Sequence, residues 1–284
     1  MSNNACPPRD RASGLNWRMG RFKPLFCLIL AVALVVAAPA RADYQGGMQA
    51  YNRGDYRSAQ RDFDAAAQGG DARADYMLGL MAEQGLGRSI DRAEALRRYR
   101  IAAQAGVAAA QVMMGFKHDV GEELPRDGLA AHSYYAEAAR RGSMVAKNNL
   151  AYLWARQKIF LDEALCLSAE TLAAEPDSAT YLDTYGFVLL RMGRIDEAAK
   201  FFAKAHRLEP QDGIAVEHLG DIAQARGADG EAAAYWRQAR PLARSGVDAK
   251  RLERKLSGVA DYDEHAPFTA ENKGFGRQCG VPTV

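Results

Sequence analysis

Residues 71–106 read DARADYMLGLMAEQGLGRSIDRAEALRRYRIAAQAG, and residues 107–142 read VAAAQVMMGFKHDVGEELPRDGLAAHSYYAEAARRG. Laid over each other without a gap, the two 36-residue blocks agree at Ala74/Ala110, Gly79/Gly115, Gly85/Gly121, Asp91/Asp127, Ala95/Ala131, Tyr99/Tyr135, Ala102/Ala138, Ala103/Ala139 and Gly106/Gly142. A fixed period of roughly 20 to 50 residues is the mark of a solenoid. Each block reads as two helices joined by a turn. The first helix, Arg73 to Gln84 in the first block, carries Gly79 where a neighbouring helix must approach closely. Gly85 ends it, since glycine accepts the left-handed conformation found just past a helix C-terminus. Asp91 opens the second helix, where a carboxylate accepts a hydrogen bond from an orphan N–H and meets the positive end of the dipole. Ala95, Tyr99, Ala102 and Ala103 then follow at i, i+4, i+7 and i+8, the spacing of one buried face.

Beyond Gly142 the period becomes 34: Gly186, Ala198, Phe202, Ala205 and Pro210 align with Gly220, Ala232, Trp236, Ala239 and Arg244. Proline stops a helix because it lacks a backbone donor and disfavours helix in the residue before it. An earlier unit, Val145 to Ser178, keeps Ala164 and Pro176 and has Tyr152 in place of the glycine. A shorter unit, Asp43 to Gly70, precedes all of these, with Phe63, Ala66 and Ala67 on its second helix. The spacing predicts about six stacked helical hairpins, closed by a polar helix near Val247–Ser257, since a last hairpin would otherwise expose the face meant for a neighbour. From 258 to 284 the helical period ends and Gly, Pro, Asp and Thr dominate, which reads as an irregular tail.

Two repeat families are resembled. The blocks in 43–142, with Leu78-Gly79, Gly85-Leu86-Gly87, Asp91 and Ala102-Ala103-Gln104-Ala105-Gly106, resemble Sel1-like repeats; Met114 and Glu123 depart from the pattern in the second block. The units in 143–257 resemble tetratricopeptide repeats, with Leu219-Gly220 and Pro210 in the pattern and Tyr185-Gly186 and Arg244 departing from it. The resemblance implies an all-α fold, a right-handed α-solenoid whose first helices line a concave groove. By that resemblance the groove positions are Asn149, Leu153 and Arg156, then Asp183, Phe187 and Arg191, then Glu217, Asp221 and Gln224. Their mix of apolar and charged groups suits an extended peptide or a partner protein's helix. The family's clamp for C-terminal carboxylates is not expected, because Asn149 has no accompanying lysine.

The chain has 284 residues, 48% apolar and 25% charged, the composition of a globular protein rather than a polytopic membrane or disulfide-dense one. Its most apolar run, Leu25 to Ala38, is too short for a membrane-spanning helix, which needs about 20 residues. Preceded by Arg18, Arg21 and Lys23 and followed by Ala40-Arg41-Ala42, it reads as a signal peptide over 1–42, with Met19 as an alternative start. Cleavage after Ala42 leaves an exported chain of 242 residues, periplasmic or secreted, with the net charge changed from +2 to −3 and no stable membrane span. Of four cysteines only Cys166 and Cys279 remain; in an oxidising compartment they pair, and otherwise Cys166 is a buried thiol and Cys279 an exposed one.

No set of convergent catalytic groups is recognisable. His118 and His132 lack the spacing of a zinc pair, and no serine has a Gly-x-Ser-x-Gly context, so neither metal nor cofactor is expected. The acidic pairs Asp162-Glu163 and Asp196-Glu197 suit first helical turns, and Arg97-Arg98 and Arg140-Arg141 suit helix C-terminal ends rather than nucleic-acid contacts. The expectation is a non-catalytic scaffold of the bacterial cell envelope. The alternative is a peptidoglycan- or glycan-directed protein, which would need Tyr99, Tyr134, Tyr135, Tyr181 or Trp236 exposed to stack on sugars.

Overall fold

The alternation of apolar faces and glycine turns produces thirteen α-helices and no strand among the described residues, which in this computed structural model are 44–258 apart from 122, 244 and 245. The expected signal peptide, the tail from 259 and Cys279 lie outside them. Six hairpins follow one another: α1 (Tyr44–Asn52) with α2 (Tyr56–Gln68), α3 (Ala72–Gln84) with α4 (Arg92–Gln104), and α5 (Ala108–Val120) with α6 (Gly128–Arg140). Next come α7 (Met144–Gln157) with α8 (Leu161–Ala174), α9 (Ala179–Arg191) with α10 (Ile195–Leu208), and α11 (Gly213–Ala225) with α12 (Asp229–Ala239). A short 3-10 turn, Arg240–Leu242, leads to α13 (Gly246–Leu256). The two helices of each hairpin pack on each other, each second helix packs on the first helix that follows it, and some first helices also meet directly, α7 with α9 and α9 with α11. The result is the all-α solenoid expected from the period.

The two periods correspond to two turns. In the 36-residue units seven residues separate the helices, 85–91 and 121–127, whereas three do so in the later units, 158–160, 192–194 and 226–228. Gly85, at φ 70°, closes α3 with a bond from its N–H to the Met81 carbonyl. Asp91 then accepts from the Glu94 N–H at 3.0 Å to start α4. The three-residue turns leave α8, α10 and α12 without a side-chain cap, and their first turns carry Asp162 and Glu163, Asp196 and Glu197, or Asp229 and Glu231. Pro241 stands in the 3-10 turn that ends α12, three residues before the position where Arg244 replaces the expected proline.

Inside every hairpin but one, a glycine of the first helix admits an aromatic ring of the second. A Cβ on Gly47 would stand 2.5 Å from Phe63, on Gly79 2.6 Å from Tyr99, on Gly115 2.7 Å from Tyr135, on Gly186 3.0 Å from Phe202, and on Gly220 2.5 Å from Trp236. Those five rings are buried, beside alanines such as Ala59, Ala95, Ala131, Ala198 and Ala232 that let the helices approach. The exception is the hairpin of α7 and α8. Tyr152 holds the glycine position there, and the position sixteen residues on, where Phe202 and Trp236 stand in later units, is the buried Ser168, its hydroxyl donating to the Leu165 carbonyl at 3.1 Å. The large and small partners have exchanged helices.

The terminal helix continues the register. Arg251 and Lys255 of α13 lie 34 residues after Glu217 and Asp221 and bond to them. α13 is thus the first helix of a further unit whose second helix is missing among the described residues. The position that holds Gly186 and Gly220 is taken by Arg254.

Candidate interaction face

The first helices of the hairpins lie side by side, so residues about one period apart meet on the face they form. Near its start, Lys117 of α5 bonds Glu83 of α3 and, at 2.6 Å, Glu123 of its own turn. The Tyr99 hydroxyl donates to the same Glu83 at 2.7 Å. Arg156 of α7 pairs with Asp119 of α5, and Arg191 of α9 donates to the Ala155 and Arg156 carbonyls, both at 3.0 Å, closing the C-terminal end of α7. The ladder continues with His218 Nδ1 of α11 at 2.8 Å from Asp183 Oδ1 of α9.

Rings and charges then converge. The Phe187 ring stacks on Tyr152 and on His218, each at 4.9 Å between centroids, and His218 lies equally close to Phe202. Glu217 is 2% exposed and takes a two-pronged bond from Arg251, both contacts 2.8 Å, with Lys255 Nζ at 2.7 Å. Lys255 also reaches Asp221 at 2.7 Å, and Asp221 accepts the Trp236 indole N–H at 3.0 Å. Burial alone would push the Glu217 carboxyl up, but the Arg251 and Lys255 charges hold it at about 2. Burial likewise opposes the charged form of His218, and Asp183, with Asp221 and Glu217 beyond it, outweighs burial and raises its pKa.

Of the nine positions assigned to a groove, Leu153, Asp183, Phe187 and Glu217 are buried in contacts between successive helices, Asn149, Arg156, Arg191 and Asp221 are half-buried, and Gln224 is exposed. The structure brings Arg156, Phe187 and Arg191 together, and Glu217 with Asp221. It adds Tyr152, His218, Arg251 and Lys255, which sequence reasoning missed; extending the 34-residue period one unit past α11 would have found the last two. It also adds Phe116 of α5, 46% exposed, which lies 37 residues before Leu153, the same interval that separates Asp119 from its partner Arg156.

Other expectations resolve locally. Arg97 and Arg98 stand in the middle of α4 rather than at its end: Arg97 pairs with Glu94, and Arg98 joins Glu94 to Asp75 at 2.7 Å and Asp64 at 3.3 Å, tying three helices. His118 stacks on Tyr134 and His132 leans on Trp154, and no cluster of three metal-ligating side chains exists among the described residues. Tyr99, Tyr135, Tyr181 and Trp236 are buried, which removes them as platforms for sugar rings; Tyr134 is half-buried. Cys166 is half-buried on α8. Among the described residues no helix is long and apolar enough to cross a membrane.

The class of protein follows from this architecture: the chain has the fold of Sel1-like and tetratricopeptide repeat proteins. Among solved structures it is similar to a protective antigen of uropathogenic Escherichia coli displaying an SLR fold, at 23% identity over 78% of this chain, with a TM-score of 0.53. This chain spans only 50% of that antigen. It is also similar to a tetratricopeptide repeat protein from Parabacteroides merdae, at 17% identity over 76% of this chain and 84% of that one, with a TM-score of 0.51. No family model and no curated protein matches the chain.

Proposed function

We propose that the chain is an exported, non-catalytic adaptor of the bacterial cell envelope that holds a protein or extended-peptide partner on the face of its first helices. The observation that carries this reading is the composition of that face, where Phe116 and Gln224 are exposed and Tyr152 and Phe187 stack beside the half-buried Arg156 and Arg191. An exposed ring beside stacked aromatic and charged groups on a rigid repeat scaffold suits a segment carrying both apolar and polar side chains. Export is supported by the charged, apolar and small-residue segments of 1–42.

Crosslinking in the native envelope, followed by recovery of the tagged chain, tests the reading. Wild type is expected to capture one saturable partner, and Phe116→Ser with Gln224→Arg, both at exposed positions, to lose it while keeping the helical signal. No saturable partner, or equal capture by the variants, overturns it.

A further inference from the structure

α13 is held differently from every other first helix. α9 is clamped between the preceding hairpin and its own partner α10, and α11 likewise by α12, whereas among the described residues α13 has the preceding hairpin alone. Of its described side chains one apolar group is fully buried: Leu252, 1% exposed, among Val216, Ala223, Ala232, Trp236 and Ala239. Leu256 is half-buried against the same cluster, and the rest of the anchorage is ionic, from Arg251 to Glu217 and from Lys255 to Glu217 and Asp221, with the Lys255 ammonium 5.8 Å from the Trp236 ring centre. Ion pairs taken from water add little net stability, because desolvation offsets much of their attraction. They are nevertheless selective. A second helix bearing the same two cations re-forms the pairs that the first gives up, and the buried Glu217 is never left uncompensated.

We propose that α13 is a replaceable cover, and that the surface beneath it, Glu217 and Asp221 flanking the apolar seat of Leu252, receives an amphipathic basic helix of the partner. The recognised pattern is the one α13 displays: two cations one helical turn apart, Arg251 and Lys255, with a leucine following the first. Because α13 is tethered, its effective concentration at the seat is on the order of millimolar, so only a helix that fits better displaces it. The proposal rests on the adaptor reading and narrows its ligand to a basic helix.

The test uses the full exported chain and a fluorescent peptide of residues 246–258. Charge reversal in R251E/K255E expels the tethered helix. Peptide anisotropy is expected to show binding at least about tenfold tighter to R251E/K255E than to wild type, and adding E217Q/D221N to the double variant is expected to abolish it. A folded R251E/K255E chain that binds no tighter than wild type overturns the cover. Hydrogen exchange on the unmodified chain decides the matter if the variant does not fold: α13 amides are expected to exchange at least about tenfold faster than those of α11, and equal protection overturns the proposal. Failure of the two readings is distinguishable. Peptide exchange without any envelope partner defeats the adaptor alone, and a Phe116-dependent partner with a fully protected α13 defeats the cover alone.

Discussion

The hairpins of residues 72–142 and those of 179–239 make the same internal contact with different lengths of chain. In both, a glycine on the first helix admits a ring from the second, but the ring follows twenty residues after Gly79 and Gly115 and sixteen after Gly186 and Gly220. The four extra residues are those by which the seven-residue turn exceeds the three-residue turn. Turn length is therefore free as long as glycine and ring stay in register. The rings differ in their anchors: the Tyr99 hydroxyl is bonded to Glu83 and the Trp236 indole to Asp221, while Phe202, with no polar group, packs against His218. The hairpin of α7 and α8 lies between the two regions and inverts the arrangement, with Tyr152 on the first helix and Ser168 on the second.

The largest expected effect separates the normal hairpins from the inverted one. Tyr99→Ala empties a fully buried ring site and removes one of the bonds to Glu83, which keeps Lys117, and is expected to cost about 3–5 kcal/mol. Ser168→Ala at the corresponding position removes one hydroxyl and its bond to Leu165, and is expected to cost about 1 kcal/mol. Urea denaturation measures both, and comparable losses would show that the ring position carries no special weight.

Next in size is the glycine itself. At Gly79 an added Cβ meets Tyr99 at 2.6 Å and the Ala95 carbonyl at 3.3 Å, so ring or backbone must shift; at Gly186 the nearest contact, to Phe202, is 3.0 Å. Overpacking costs typically about 1–3 kcal/mol, against about 1 kcal/mol gained by replacing a mid-helix glycine with alanine. Gly79→Ala is expected to lower stability by about 2 kcal/mol and Gly186→Ala to stay within about 1 kcal/mol of wild type. Equal losses would mean that the two regions pack with the same tightness.

This contrast shows what was legible in the sequence. Glycine, ring, aspartate cap and alanine each signal within one unit, at fixed spacing, and so the hairpins, their order and the terminal helix could be read directly. Contacts between units depend on how closely successive helices stack. Leu153, Phe187 and Glu217 occupy groove positions by resemblance, yet the neighbouring helices bury them. Arg98 reads as a solvated end but reaches back to Asp75 and Asp64 in two earlier helices. The inversion at Tyr152 and Ser168 becomes visible only when both positions are read as one pair.

A smaller effect distinguishes the turns. Asp127 accepts from the Leu129 and Ala130 N–H groups, both at 3.0 Å, whereas Arg194 at the start of α10 offers no side-chain cap and pairs with exposed Glu197. Asp127→Ala is expected to cost about 1 kcal/mol, read as a lower thermal midpoint. Arg194→Ala is expected to cost under about 0.5 kcal/mol, since an exposed ion pair contributes little. A larger loss at Arg194 would assign the short turn a stabilising role that its geometry does not suggest.

The smallest net effect is on pH, because the two regions respond with opposite sign. His132, on α6 against Trp154, has its pKa lowered by burial, with Arg140 adding to the shift. The unfolded chain then binds the proton that the fold excludes, so this region loses stability as pH falls below about 6.5. His218 is the reverse case. Burial opposes its charge, but Asp183 at 2.8 Å and the nearby Asp221 and Glu217 raise its pKa, so the folded state binds the proton more tightly. Its contribution is complete below about 6.5 and is lost as pH rises through the raised folded value. Hydrogen exchange read helix by helix is expected to show α6 and α7 more protected at pH 8 than at pH 5.5, and α9 and α11 less protected, while the midpoint of the whole chain moves by under about 4 °C. His218→Gln is expected to remove the second trend and leave the first. If the protection of α9 and α11 still falls with pH in that variant, the Asp183–His218 pair is not what couples the last two hairpins to pH.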